Sequence, residues 1–444
     1  MPSIRDPIHG FISLSDEELA IVDSAPFQRL RNIKQLATSY LVYPGAEHTR
    51  FSHSLGVMYL ADKAFNAAMD NYEDRTGKPL FGDNISRAWY GQVLRLIALT
   101  HDLGHRPFSH AFEKREGGIE HEEFTRKILF DTEIREHIQA VSSAFLRENE
   151  ISDEDRDKYS ITPELLWKIY QEKDALLDAD YEVRRYNLIK DFMDSSLDCD
   201  KMDYLLRDAY YCGVNYGTYD VKKLISSLTV FSDERENTYR LAIQNSGLYA
   251  FEEFVVARYH MFMQVYFHKT RRYLDKLLID AIEELNIPVM GSDVDIQEYL
   301  KFDDCEIMSR LHKAKEDPKN KSVAKFLARQ VESCVHETHG HSNSRNGDTL
   351  YRIILKDLQK RFGKDSVRED LAPKAIIDYL SEGRYDELSW KDVPVFFPQE
   401  ARPRKVMDES VLLKGLMPPI NTMRIFVDKE NKDEALKIVG ELKS

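Results

Sequence analysis

The chain is poor in cysteine. Its 444 residues hold four, Cys199, Cys212, Cys305 and Cys334, widely spaced and with no CxxC pair. That spacing argues against a structural zinc knuckle and points to a reducing compartment. Long apolar runs are also missing. No stretch reaches membrane-spanning length, and the N-terminal MPSIRDPIHG carries no apolar signal region. A soluble, cytoplasmic protein with no membrane partner is the expectation. Positive charge is in deficit, with 62 Lys and Arg against 76 Asp and Glu and a formal net charge of −14. This balance disfavours a nucleic-acid partner, although a local basic cleft remains compatible with polyphosphate. No internal repeat is visible. Hydrophobic residues make up 42% of the chain, enough to bury a sizeable core in one large domain or two to three smaller ones.

Periodicity predicts a mainly α-helical fold. Asp6-Pro-Ile-His-Gly10 reads as a turn, followed by a short alternating stretch, Phe11 to Leu14. Ser15 heads a helix with acids in its first turn. Pro26 starts a second helix running to about Leu36. Tyr40 to Tyr43 reads as a strand ending at Pro44-Gly45, and a helix follows from Arg50 to about Met69. A polar linker spans 71–84, before an apolar helix that enters His101. Leu197 to Tyr211 is strongly patterned, and the runs 227–232 and 238–244 predict a β-hairpin. Tyr249 to Leu285 contains no Gly or Pro and predicts one long helix. After Pro288 the composition becomes more charged. His336, His339 and His341 fall in a Gly/Ser/Asn-rich segment that reads as a solvated loop. Helices are expected at 351–362, 374–379 and 433–442, and a strand at 423–428. The division is a domain over 1–287 and a small α+β C-terminal lobe over 288–444.

Thr100-His-Asp-Leu-Gly-His-Arg-Pro-Phe-Ser-His-Ala-Phe-Glu113 concentrates the chemistry. His101 and Asp102 offer a nitrogen and an oxygen ligand side by side at a helix end, the mixture a divalent transition metal takes. Gly104 and Pro107 are expected to end the helix there. Helix-end polar groups satisfied by hydrogen bonds are the competing explanation; two further histidines and Glu113 close behind weigh against it. Three other places supply complementary groups. Arg50-Phe-Ser-His53 opens a helix. Asp200, Lys201, Tyr204 and Asp208 recur near i, i+4 and i+8 on one face of another. The 249–285 run carries Arg258, Tyr266, His268 and Lys269.

Together these residues resemble the deoxynucleotide triphosphohydrolase branch of the HD-domain metallophosphohydrolases. The resemblance rests on the ordered set Asp6-Pro-Ile-His-Gly10, Phe27-Gln-Arg-Leu-Arg31, Ile33-Lys-Gln-Leu36, Arg50-Phe-Ser-His-Ser-Leu-Gly56, His101-Asp-Leu-Gly-His105, Pro107-Phe-Ser-His110 and Asp203-Tyr204…Arg207-Asp208, and covers about residues 4–285. It implies an HD-domain helical fold and one divalent metal (Mn, Fe, Zn, Ni or Mg) held by His53, His101, Asp102 and Asp200. A second Mg would accompany the nucleotide. The metal would lower the pKa of its water and polarise the α-phosphorus of a dNTP, releasing deoxynucleoside and triphosphate.

Further roles follow from the same resemblance. Arg50, Lys201 and Arg258 would neutralise polyphosphate. Tyr204, Asp208 and Tyr266 would line the sugar pocket, with Gln35 and Leu36 against sugar and base. His110, oriented by Glu113, would protonate the leaving 5′-oxygen, while His105 and His121 would contact phosphate or support the acid/base step. Asp23, Gln28 and Arg31 match residues that read a guanine-containing activator in the vertebrate enzyme, and a homo-oligomer, dimer or tetramer, is implied. Three places depart from the family: Glu113 stands where aspartate is common, Phe267 where the vertebrate enzyme has glutamine, and Pro2 and Ser3 occupy the region where the activator site has a basic residue. The alternatives are a different HD phosphohydrolase, acting on nucleoside monophosphates or cyclic nucleotides, and a nucleotide sensor without turnover.

Overall fold

Helix ends are satisfied by side chains in a way that locks neighbouring helices together. Ser15 Oγ accepts from Glu18 N, and Glu18 Oε2 accepts from Ser15 N, both at 3.0 Å, a reciprocal cap on the Asp16–Asp23 helix. The same carboxylate takes Arg95 Nε and Nη2 at 2.8 and 2.7 Å, tying that helix to the Asn84–Thr100 helix. Asp198 caps the Cys199–Cys212 helix by accepting from Lys201 N. The computed structural model describes residues 1–109, 120–171, 181–233, 238–288, 291, 294–341, 345–371, 393–397, 400, 402–415 and 420–443.

The Arg50–Thr76 helix lies at the centre. The Asn84–Thr100 and Cys199–Cys212 helices and the Leu228–Asp233 strand pack against it, and their apolar sides share one large core. The structure is mainly helical with small sheets at its edges. Ser3–Asp6 pairs antiparallel with Gly10–Ser13. The expected hairpin, Leu228–Asp233 with Thr238–Gln244, forms and is extended by Pro394–Phe396, which lies parallel to Thr238–Gln244. In the C-terminal lobe, Ile420–Val427 pairs with Ser333–His341 and Val367–Leu371. The Arg345–Phe362 and Lys432–Lys443 helices share an apolar core with that sheet. Among the described residues no helix is long and apolar enough to cross a membrane, and all four cysteines are free.

Several local expectations fail, each because tertiary partners take the backbone. The predicted 26–36 helix is a single turn, Ala25–Gln28, followed by a 3₁₀ turn, Arg29–Asn32. The amides beyond it are claimed elsewhere: Lys34 N donates to Asp304 and Gln35 N to His48 O. The predicted 40–43 strand is the end of a 3₁₀ helix, Ala37–Leu41, with Val42 N and Tyr43 N both turned back onto Ser39 O. The 71–84 linker begins late, because the Arg50–Thr76 helix continues until Gly77, at φ 70°, caps it. Asn71 Nδ2 on Ser226 O and Leu228 O, and Arg75 Nη2 on Val230 O, hold its polar end against the hairpin.

The predicted 249–285 helix is broken. Leu248–Met261 leads into a π turn, Phe262–Tyr266, and a new helix, Lys269–Glu284, begins after His268 at ψ 125°. Phe262 and Phe267 pack together beside Tyr266 where the helix shifts register. The helix entering His101 ends at Thr100, before Gly104 and Pro107. His336 to His341 are strand residues with His336 buried, because Ile420–Val427 pairs with them. The 374–379 helix lies outside the described residues.

Candidate active site

His53 sits in the first turn of the Arg50–Thr76 helix, His101 and Asp102 leave the end of the Asn84–Thr100 helix, and Asp200 opens the Cys199–Cys212 helix. These three ends converge. One ligand atom each from His53, His101 and Asp102 lie within 4.8 Å of one another, and all three residues are buried. Asp200 joins them with Oδ1 2.8 Å from His53 Nε2 and 3.9 Å from His101 Nε2.

The ring orientations suit a cation. His101 Nδ1 donates to Ala98 O at 2.8 Å, which leaves Nε2 as the ring nitrogen turned toward the cluster. Among the described residues that Nε2 is buried without a hydrogen-bond partner, 3.3 Å from Asp102 Oδ1 and 3.9 Å from Asp200 Oδ1. A ring nitrogen facing two carboxylates in a buried site calls for positive charge among them, a proton or a cation. His53 repeats the arrangement. Its Nδ1 is 2.8 Å from Asp203 Oδ2, so either a proton or a cation must separate Nε2 from Asp200 Oδ1. Without a metal the proton fills this place: burial opposes it, but Asp200 and Asp203 raise His53 to about 10. Asp200 is held at about 2 against its burial by His53. Asp102 lies well below the usual carboxylate range, burial being outweighed by Arg50, His101 and His105. Two imidazoles and two ionised carboxylates therefore fit one divalent transition ion.

Asp203, to which the sequence alone gives no role, organises the side chains behind the cluster. Its carboxylate takes His53 Nδ1, both Nε and Nη2 of Arg207 at 2.8 and 2.9 Å, and His9 Nε2 at 2.6 Å. Arg207 Nη1 reaches Asp6 Oδ2 at 2.8 Å, and Asp6 Oδ1 accepts from Ile8 N and His9 N. The Asp6-Pro-Ile-His-Gly10 turn thus docks on the second layer of the metal cluster. Gly56 admits this packing, since a Cβ there would stand 2.0 Å from Asp203 Oδ1.

Several of the residues expected from the sequence to bind substrate lie around the cluster. Arg50 is buried, with Nη1 2.6 Å from Asp102 Oδ2 and Nε and Nη2 on Ser109 Oγ, so it fixes a ligand carboxylate. Lys201 Nζ pairs with Asp198, and the charges of Lys201 and Arg258 act on each other and on Tyr204. Tyr204 and Tyr266 meet edge to face at 6.1 Å. Tyr266 OH donates to Asp208 Oδ2 at 2.6 Å, while His48 Nε2 lies 2.7 Å from Asp208 Oδ1. The π turn delivers Tyr266 to this wall. Leu36 is buried, and Gln35 Oε1 is buried without a hydrogen-bond partner among the described residues.

His105 and His121 stack at 3.8 Å between ring centroids. His105 Nε2 lies 3.1 Å from Asp102 Oδ1, and burial, Arg50 and His121 keep this imidazole neutral. His110 and Glu113 lie outside the described residues. Of the regulatory candidates, Gln28 Oε1 accepts from Arg31 Nε at 2.7 Å and Arg31 covers the Phe51 ring at 3.5 Å. Asp23 is exposed nearby in sequence, with no bond between it and either residue among the described contacts.

Comparison with known proteins places this geometry. Residues 50–179 match the HD domain and residues 219–331 match an HD associated region. The chain carries an HD domain followed by its associated region. The uncharacterised protein YwfO of Bacillus subtilis is 34% identical over 276 residues, 62% of this chain and 53% of that protein. The Dictyostelium discoideum homolog of deoxynucleoside triphosphate triphosphohydrolase SAMHD1 is 29% identical over 381 residues, 83% of this chain and 64% of that one. The crystal structure of a hypothetical protein from Aquifex aeolicus superimposes with a TM-score of 0.72 at 28% identity, over 99% of both chains. The chain spans about half the length of the first bacterial and archaeal relatives it matches.

Proposed function

We propose that the protein is a metal-dependent phosphohydrolase that cleaves dNTPs, dGTP among them, to deoxynucleoside and inorganic triphosphate. The observation that carries this reading is the convergence of His53, His101, Asp102 and Asp200 around His101 Nε2, which has no hydrogen-bond partner among the described residues. Likeness to proteins named as dNTP triphosphohydrolases over most of the chain supports the finer substrate assignment.

When bound, the ion would supply a water of lowered pKa and a Lewis acid toward phosphorus. The chain's own groups do the rest. Arg50 holds Asp102 in place and carries positive charge to the edge of the cluster, where Lys201 and Arg258 add two more cations for a polyphosphate. Tyr204, Tyr266 and Asp208 form a wall whose hydroxyl and carboxylate suit a deoxyribose, and Gln35 Oε1 offers a further acceptor. The neutral His105, stacked on His121, is suited to accept or relay a proton near neutral pH. His110 with Glu113 is the candidate donor to the leaving 5′-oxygen. A nucleotide activator read by Asp23, Gln28 and Arg31, and assembly into dimers or tetramers, belong to the same reading.

The test is product analysis. Purified protein is incubated with each dNTP and each divalent metal singly, and the products are separated. Deoxynucleoside with triphosphate supports the proposal; pyrophosphate, or no turnover with any metal, overturns it.

A further inference from the structure

The turn that follows the metal ligands, residues 101–109, has no regular secondary structure, yet it must hold Asp102 and Ser109 in place. Two of its residues are in the left-handed region, Phe108 at φ 50° and Ser109 at φ 47°, where side-chain-bearing residues persist only when their surroundings over-determine them. The surroundings come from far along the chain. Tyr299 OH donates to Gly104 O at 2.6 Å, and its ring stacks on Phe124 at 3.9 Å. Phe302 O accepts from Arg29 Nε and Nη2, while Arg29 Nη1 reaches Leu103 O. Asp304, 4% exposed, accepts from Phe108 N at 2.7 Å through Oδ1 and from Lys34 N at 3.0 Å through Oδ2.

Asp304 therefore joins two segments at points one residue from functional groups. Lys34 precedes Gln35, and Phe108 precedes Ser109, whose Oγ accepts from Arg50, which in turn grips Asp102. We infer that Tyr299 to Asp304 is a clamp on the active site, with Asp304 a positioning residue for the metal-bearing turn and for the turn that carries Gln35. The associated region thus completes the HD site from outside the HD domain. The kinetic arm rests on the phosphohydrolase reading; the exchange arm does not.

Asp304→Asn keeps the shape and one acceptor oxygen, but its NH₂ faces one of the two backbone donors, so one tether is lost. Tyr299→Phe removes only the hydroxyl on Gly104 O. Both variants are compared with wild type by hydrogen–deuterium exchange of peptides over 101–109 and 33–37, by manganese stoichiometry, and by steady-state kinetics. The expected result is faster exchange confined to these peptides, full manganese content, and kcat reduced roughly ten- to a hundredfold with a smaller change in KM. Unchanged exchange in both peptides, or exchange raised uniformly across the chain with kcat falling only as the folded fraction falls, overturns the clamp. If wild type turns over no nucleotide, the functional reading fails and the exchange arm alone decides.

Discussion

Asp203→Asn isolates the second layer of the metal cluster. The native carboxylate accepts four charge-assisted hydrogen bonds, two on each oxygen. Asparagine leaves one accepting oxygen. The amide turns its NH₂ toward the Oδ1 side, because His9 can present Nε2 as an acceptor after a tautomer change, whereas Arg207 only donates. One Arg207 bond is then lost and the remaining bonds weaken. At about 1.5–3 kcal/mol for a bond to a charged group, the expected loss of stability is about 2–4 kcal/mol. Arg207 keeps Asp6 as a counter-charge, so the guanidinium is not stranded and the fold survives. His53 Nδ1 retains a partner, but a neutral one, so Nε2 becomes a weaker ligand. The metal dissociation constant is expected to rise roughly tenfold, the lower end of the range for lost outer-shell partners.

Calorimetric titration of metal-free protein with Mn²⁺ and urea denaturation of the same samples give the two readouts. Asp6→Asn is the control: it weakens Arg207 without touching His53, and is expected to lose stability while binding metal normally. Wild-type affinity in Asp203→Asn, or equal affinity loss in both variants, would refute the view that Asp203 acts on the metal through His53.

Other outcomes follow from the same contacts. Among the described residues the His101 ring makes one hydrogen bond to protein, to Ala98 O; in His101→Ala metal content by plasma mass spectrometry should fall to near zero, with metal-free stability within about 1 kcal/mol of wild type. Gly56→Ala would put a methyl 2.4 Å from Arg207 Nη2 as well as against Asp203, in a packed helix interior; a loss of at least about 3 kcal/mol in urea is expected, and a near-native midpoint would contradict the packing. Glu18→Gln should cost about 1.5–3 kcal/mol at pH 7, since a charged acceptor of Arg95 is lost while Asp62, 3.5 Å from Arg95 Nη1, remains as counter-charge. Burial raises the Glu18 pKa, but Arg95 outweighs it and brings the net value below the usual 4.5. Its stabilisation is thus complete above the ordinary carboxylate pKa and lost as pH falls through the folded value. The gap between wild type and variant should narrow in urea titrations carried below about pH 4.5.

The convergence of His53, His101, Asp102 and Asp200 was legible because they sit at helix ends marked by local residue types, and because the ordered motifs around them are specific as a group. Three helix ends then needed only to meet, and the shared core of their apolar faces brings them together. What escaped depends on partners distant in sequence. The run from Tyr249 to Leu285 has no Gly or Pro, so nothing local announces the π turn, although that turn is what aims Tyr266 at Asp208.

Arg50 illustrates the same limit within the site. A cation beside a predicted metal cluster reads as a phosphate clamp, but the folded chain commits it first to Asp102 and Ser109. The two roles are compatible only if substrate meets a guanidinium already fixed by protein contacts. That is the condition under which a charged group binds without reorganising. It also explains why the turn carrying Ser109 is held in a left-handed backbone by a carboxylate nearly two hundred residues away. Asp203 follows the same logic one layer out. Three residues after a ligand and four before an arginine, it reads locally as a helical ion pair. Its partners His9 and His53, from two other elements, make it the residue that sets which nitrogen of His53 faces the metal.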